Sequence, residues 1–99
     1  MAKSILFVES RPISADRVDD FNRWYQETHI PEMLTIDGFV SARRFATEGD
    51  SFIALYEIDT DVETARANVK AAYATGRMSP AELAQTDPPA TQRWLSLLT

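Results

Sequence analysis

The segments of this chain that read as β-strands carry apolar side chains on both of their faces. Successive residues of a strand point to opposite sides of the sheet. In the segment 51–59, one face would carry Phe52, Ala54, Tyr56 and Ile58, and the other Ile53 and Leu55. The segments 4–9 and 93–98 also fail to alternate between apolar and polar residues. In a sheet with one solvent-exposed face, apolar and polar residues should alternate along each strand. Both faces of this sheet are therefore expected to pack against other parts of the protein or against a partner.

The segments between these strands predict two long helices. Ser14 is suited to be an N-cap, and apolar groups then recur at helical spacing, at Val18, Phe21, Trp24, Tyr25 and Thr28. Pro31 should end this helix near residues 28–29, because the residue before a proline is pushed out of helical geometry, and should open a short second turn. Thr60 is expected to cap the second helix, and Gly76 stands where a helix would end.

The order of the elements predicts the fold. The segments 38–46 and 51–59 form a hairpin, and Ser79 with Pro80 predicts one further short helix before the last strand. Strand, helix, strand, strand, helix, strand is the βαββαβ order of an α+β, ferredoxin-like sandwich, in which a four-stranded antiparallel sheet carries two helices on one face. Residues 1–99 are expected to make a single domain. Because the helices cover one face only, we expect a homodimer in which a second sheet covers the other.

The composition argues against several kinds of partner and site. The net charge of −5 argues against nucleic acid, which calls for a basic surface. There is no cysteine and only one histidine, so the usual zinc and iron ligand sets cannot form, and we expect no metal. No nucleotide or phosphate-binding motif is present, and no organic cofactor is expected. No apolar run suits a signal peptide or a membrane span, which predicts a cytoplasmic protein that does not bind membranes.

The stretch FNRWYQETHIPEMLTIDGFVSARRF, residues 21–45, resembles the EthD-type branch of the dimeric α/β-barrel superfamily. The resemblance rests on Phe21-Asn22-x-Trp24-Tyr25-x-x-x-His29-x-Pro31, followed by Gly38-Phe39 and Ser41-Ala42-Arg43-Arg44-Phe45. It implies a ferredoxin-like fold whose sheets face each other in a dimer and form a barrel. The superfamily includes muconolactone-type isomerases, polyketide cyclases and dehydratases, cofactor-free monooxygenases, haem-binding members and proteins of no known activity. The resemblance therefore implies no single reaction.

Three residues are candidates for catalysis: His29, Tyr25 and Arg43. An imidazole can act as general acid or base near neutral pH, and a tyrosine or arginine can stabilise a developing oxyanion. Arg43 and Arg44 are adjacent on one strand and point to opposite faces, so one of them must face either the helices or the dimer interface. A buried arginine needs an anionic partner, which would be a protein carboxylate or else a carboxylate or enolate of the substrate. Purely structural roles compete with this reading, because a histidine can cap a helix C-terminus and tyrosines often fill a core.

Further candidates would form the walls of a ligand site: Phe21, Trp24, Arg44, Tyr56 and Trp94. The ligand would be a small apolar or aromatic molecule with a carbonyl group, such as a polyketide or an aromatic-degradation intermediate. The main hypothesis is a homodimeric enzyme that catalyses cofactor-independent proton transfer, as in isomerisation, cyclisation or dehydration. One alternative is a monooxygenase, either cofactor-free or linked to haem through His29, that uses Trp24 and Asn22. The other is a non-catalytic protein that binds a small molecule or serves as an accessory.

Overall fold

Four strands form one antiparallel sheet in the computed structural model, which describes residues 2–99. The strands are β1 (Ser4–Ser10), β2 (Phe39–Ala46), β3 (Phe52–Ile58) and β4 (Thr91–Ser96). The helices are α1 (Val18–Trp24), α2 (Ile30–Met33) and α3 (Val62–Ala74). The sheet order is β2-β3-β1-β4, which confirms the predicted ferredoxin-like α+β fold. Among the described residues, no helix combines the length and the apolar character that a membrane crossing requires.

The two faces of the sheet differ in burial, as the strand pattern predicts. The face toward the helices holds the core, whose buried strand residues are Leu6, Val8, Phe39, Ala54, Tyr56 and Ile58. Each large apolar side chain that is fully buried contributes about 1.5–3 kcal/mol to folding. The other face, called the outer face below, carries partly or largely exposed apolar residues, which are Ile5, Phe7, Phe45, Ile53, Leu55 and Leu95.

A one-residue bulge in β2 decides which of its side chains face the helices. Phe39 and Ser41 stand two residues apart in β2, yet they pair with consecutive residues of β3. The extra residue reverses the in-and-out alternation for the rest of the strand. Arg44 consequently lies on the helix side of the sheet, and Arg43 lies on the outer face.

The first helix continues through Pro31 instead of ending before it. A π-turn, Tyr25–His29, joins α1 to α2, and Ile30 keeps helical angles of φ −62° and ψ −48°. The prediction that the helix would end near residues 28–29 was therefore wrong. Proline lacks an N–H and its ring crowds the carbonyl one turn back. The wider i→i+5 turn, in which the Ile30 N–H donates to the Tyr25 carbonyl, makes room for that ring.

Other helix ends differ from the sequence prediction in detail. Asp61, and not Thr60, caps α3, because its carboxylate accepts a hydrogen bond of 3.3 Å from the helix backbone. Gly76 ends the helix as predicted, with a φ of +75°. The short helix expected after Ser79 does not form in the described segment 79–90. The N–H and hydroxyl of Ser79 instead donate to the carboxylate of Glu32, at 2.9 and 2.5 Å, which ties this segment to α2.

Candidate active site

Four aromatic rings fill the space between α1 and the strands β2 and β3. Residues four apart share one face of a helix, so Phe21 and Tyr25 both point onto the sheet and are buried, with ring centroids 5.4 Å apart. Phe52 and Tyr56 approach from β3, and the Phe52 ring lies 5.8 Å from that of Phe21. We call Phe21, Tyr25, Phe52 and Tyr56 the aromatic layer.

Arg44 of β2 lies within the aromatic layer. The carbon of its guanidinium group is 4.3 Å from the ring centroid of Tyr25, 5.6 Å from that of Phe52 and 5.7 Å from that of Phe21. Such cation–π contacts each contribute about 0.5–2 kcal/mol. The expected anionic partner is not found among the described residues, and the buried Nε and Nη2 atoms make no hydrogen bond within the chain. Burial lowers the pKa of Arg44, although an arginine stays charged in proteins.

His29 ends the π-turn and contacts two aromatic rings of the same helix. Its imidazole stacks on Trp24 with the centroids 4.8 Å apart and meets Tyr25 edge-on at 4.9 Å. Burial lowers the pKa of His29 to about 4, against the opposing effect of the Glu32 carboxylate, and the charge of Arg44 lowers it further. The imidazole is therefore neutral at pH 7. Its Nδ1 is buried without a hydrogen-bond partner, so the ring has unused capacity to bind or transfer a proton.

Two more buried polar atoms form no hydrogen bond of good geometry with residues 2–99: Oδ1 of Asn22 and the hydroxyl of Tyr56, which lies beside the hydroxyl of Tyr25. Burial raises the pKa of Tyr56 and of Tyr25, so both hydroxyls stay protonated at neutral pH and can donate hydrogen bonds. An unpaired buried polar atom costs about 1–3 kcal/mol, and native proteins leave few of them. The unpaired atoms of Arg44, His29 and Tyr56 are therefore candidates for hydrogen bonds to solvent or to a ligand.

A cleft of about 660 Å³ opens beside the aromatic layer. It lies between the loop after β1, the start of α1, the β2–β3 turn and the segment before β4. Its apolar walls are Pro12, Ile13, Ala15, Val18 and Phe52. Its polar lining includes an exposed ion pair between Arg11 and Asp50, 2.9 Å long. The volume suits a small organic ligand. Phe52 both lines the cleft and contacts the guanidinium group of Arg44.

The structure brings six of the predicted site residues together and keeps two apart from them. The six are Phe21, Trp24, Tyr25, His29, Arg44 and Tyr56. Arg43 lies on the outer face, opposite Leu55, and is separated from His29 by the sheet. Trp94 faces the helices, but it lies on β4, at the sheet edge opposite to β2, where Arg66 is 5.9 Å from its ring. Within one protomer, neither Arg43 nor Trp94 can join the other six.

Sequence reasoning missed two residues of this region. Phe52 gave a usable signal, because it shares a strand face with the candidate Tyr56, but the sequence analysis did not include it among the site residues. No sequence signal pointed to Glu32, because Ser79, to which it is hydrogen-bonded, lies 47 residues away in the chain. Within residues 2–99, no group of three or more histidine, cysteine, aspartate or glutamate side chains is placed to hold a metal ion.

Known proteins resemble this chain in fold far more than in sequence. The sequence matches no protein-family model and no curated protein. Among solved structures, the haem degrader MhuD of Mycobacterium tuberculosis is similar with a TM-score of 0.64 and 12% identity, over 96% of each chain. A proposed monooxygenase of Shewanella loihica PV-4 is similar with a TM-score of 0.55 and 13% identity, over 100% of this chain and 98% of that one. These likenesses show the ferredoxin-like fold, and the resemblance to the EthD-type branch of the dimeric α/β-barrel superfamily stays a prediction.

Proposed function

We propose that this protein is a small-molecule monooxygenase that begins its reaction by proton abstraction and uses no organic cofactor. The observation that carries the proposal is the neutral imidazole of His29, half-buried against the Tyr25 ring that also contacts the unpaired guanidinium group of Arg44. A neutral base can remove a proton next to a carbonyl group, and a nearby cation stabilises the enolate that forms. The protonated, unpartnered hydroxyl of Tyr56 is a suitable donor for the enolate oxygen.

The ligand itself supplies the electrons for this reaction. For an activated CH₂ group the change is R₂CH₂ + O₂ → R₂C=O + H₂O, in which four electrons pass from carbon to oxygen and no outside reductant is needed. His29 takes the first proton, and the carbanion carbon bonds to one atom of O₂ to give a peroxide. The imidazolium of His29 returns its proton to the outer oxygen atom. Loss of the second C–H proton then forms C=O and breaks the O–O bond, and the hydroxide released takes up that proton and leaves as water. A negative charge beside an imidazole raises its pKa. Formation of the enolate therefore strengthens a base whose pKa is about 4 in the free protein.

Return of the proton to the same enolate, without oxygen, would give the isomerisation, cyclisation or dehydration that the sequence favoured. The structural neighbours support oxygenation instead, since one is a haem degrader and the other a proposed monooxygenase. The EthD-type resemblance is compatible with either outcome, because the superfamily includes both kinds of enzyme. The second candidate function is therefore an isomerase or lyase that uses the same residues up to the enolate.

The residues present do not fit a haem. MhuD is described with two haems bound in its active site. In this chain the one histidine, His29, has a ring face against Trp24 and does not line the 660 Å³ cleft. The 660 Å³ cleft is lined by no histidine, tyrosine or methionine and so offers none of the usual axial ligands. The proposed reaction therefore runs without haem.

We further propose that two copies pair through their outer faces. The middle of this face is apolar, with Ile5, Phe7, Ile53 and Leu55. Charges of both signs stand among these residues, namely Arg43, Arg93, Glu9 and Glu57. Such a surface can meet a second copy of itself across a two-fold axis, because positive groups of one copy can face negative groups of the other. Pairing would bury the apolar surface that the helices leave open.

Oxygen uptake with anthrone, a tricyclic ketone that has an activated CH₂ group, tests the proposed reaction. We expect the protein to accelerate both oxygen consumption and anthraquinone formation above the rate in buffer. His29→Gln should lower the accelerated rate by about 10²-fold, the usual contribution of a general base. Arg23→Gln is the matched surface control, because Arg23 is an exposed residue of α1, and it should keep the full rate.

Three results would contradict this reaction. Exchange of solvent deuterium into the CH₂ group without oxygen uptake would indicate the isomerase type. Activity that appears only after haem is added, together with a Soret band, would indicate a haem enzyme. Full activity of the His29→Gln variant would mean that His29 is not the general base.

A further inference from the structure

We propose that Arg44 binds the carboxylate of an aromatic acid whose ring lies in the cleft bordered by Phe52. This inference names the ligand class of the active site, and it rests on the proposed function for the chemistry that follows binding. In a ligand of this class Arg44 would hold the carboxylate, and the Tyr56 hydroxyl would be the donor to the enolate oxygen. Three observations support it: which guanidinium nitrogens are unpaired, the absence of a protein anion beside them, and the surroundings of the side chain.

The two unpaired nitrogens of Arg44 belong to one edge of its guanidinium group. Nε and Nη2 carry N–H bonds that run nearly parallel in the plane of the group, and both atoms are buried without a partner. This edge matches the two oxygens of a carboxylate, which accept one hydrogen bond from each nitrogen. A single oxygen acceptor, such as a ketone, would leave part of the edge unpaired. The geometry therefore favours a carboxylate over a neutral carbonyl group.

The described part of the chain offers no carboxylate to this edge. The arginine ion pairs in residues 2–99 are Arg11–Asp50, Arg17–Asp20 and Arg23–Asp20, and Arg44 takes part in none of them. Two other carboxylates are already bound: Glu32 accepts from Ser79, and Glu9 accepts from the hydroxyl of Ser51 at 2.6 Å. A buried charge without a counter-ion is costly. An anionic ligand would remove that cost, and part of the binding free energy would come from this source.

The surroundings of Arg44 suit a ligand with a flat aromatic ring. The ring of Tyr25 lies against the guanidinium group at 4.3 Å, so a ligand is left with the edge of that group. Phe52 is only partly buried, lines the cleft, and has its ring 5.6 Å from the guanidinium carbon of Arg44. A carboxylate on Arg44 would therefore have the cleft within reach of its ring, with Phe52 between the two groups. The cleft walls contributed by Ile13 and Val18 are apolar and would contact an aromatic ring.

Calorimetric titration with 2-naphthoate and 2-naphthamide tests the inference, because the two probes share a ring system and differ in charge. We expect the native protein to bind naphthoate at least about tenfold more tightly than naphthamide, which corresponds to one strong charge-assisted contact. Arg44→Gln should abolish this preference, and Arg44→Lys, which keeps the charge without the fork, should retain only part of it. Arg23→Gln should leave it unchanged. Naphthoate, and not naphthamide, should also raise the pKa of the single imidazole.

Equal affinity for the two probes in the native protein would overturn the inference and would mean that solvent alone occupies the edge. This comparison needs no variant, so a folding defect in Arg44→Gln cannot obscure it. A preference for naphthoate that survives unchanged in a folded Arg44→Gln would also overturn the inference. The titrations are run under nitrogen. Failure of the oxygen-uptake assay would therefore count against the reaction alone, and loss of the naphthoate preference against the ligand class alone.

Discussion

Acidification should destabilise this protein through His29, by about 2 kcal/mol between pH 8 and pH 5. The imidazole has a pKa of about 4 in the folded chain and an ordinary value of 6.5 when unfolded. Between these values the unfolded state binds more protons than the folded state, so stability falls as the pH falls. The full effect, reached below the folded pKa, is about 3.4 kcal/mol, because each pKa unit is worth about 1.36 kcal/mol. About 2 kcal/mol of it is already lost at pH 5.

Other groups contribute little in this window. The pKa values of Asp16, Glu32 and Asp61 are lowered in the folded protein by hydrogen bonds that their carboxylates accept. Stability from a carboxylate with a lowered pKa is present above its unfolded value and is lost as the pH falls through its folded value. Those unfolded values are 3.8 for the aspartates and 4.5 for the glutamate, so these losses fall mostly below pH 5. The loss between pH 8 and pH 5 therefore belongs chiefly to His29.

Urea unfolding at pH 8, 7, 6 and 5, at one fixed protein concentration, measures this loss. The same series on His29→Gln supplies the reference, because glutamine does not titrate. The native chain should lose about 2 kcal/mol more than the variant over this range. An NMR titration of the only imidazole in the chain should place its pKa well below 6.5. Parallel loss of stability in the two proteins, or an imidazole pKa near 6.5, would refute the argument that His29 is desolvated.

Two further predictions concern the outer face and a turn. Leu55→Asp puts a charge at the centre of the outer face and should convert the dimer into monomers, as measured by sedimentation velocity. The control Lys70→Asp, on the exposed side of α3, should leave the dimer intact. A native chain that sediments as a monomer at micromolar concentration would contradict the pairing. Gly38→Ala should cost about 1–3 kcal/mol in urea unfolding, because Gly38 has a φ of +90° and an added Cβ would lie 2.9 Å from a Thr60 methyl group. Gly49→Ala, whose Cβ would meet nothing closer than 4.0 Å, should cost much less, and equal costs would contradict this reasoning.

Features that depend on short-range periodicity could be predicted from the amino-acid sequence. Alternation along β3 predicted that Tyr56 and Leu55 lie on opposite faces, and in the structure Tyr56 is in the core and Leu55 is on the outer face. Helical spacing placed Phe21 and Tyr25 on one side of α1. Adjacency alone showed that Arg43 and Arg44 must point in opposite directions. Each of these statements follows from backbone geometry repeated every two residues or every helical turn.

Two positions, at which one residue interrupts the strand or helix periodicity, were visible only in the folded structure. The bulge between Phe39 and Ser41 turned Arg44, and not Arg43, toward the helices, and alternation counted from Phe39 would have given the opposite result. The π-turn before Pro31 carried the helix onward and set His29 against both Trp24 and Tyr25. An inserted residue leaves no mark in local sequence, because its position is fixed by pairing with β3 in one case and by packing against the sheet in the other. The positions of the proposed base and of the proposed anion-binding group were therefore settled only when the chain packed on itself.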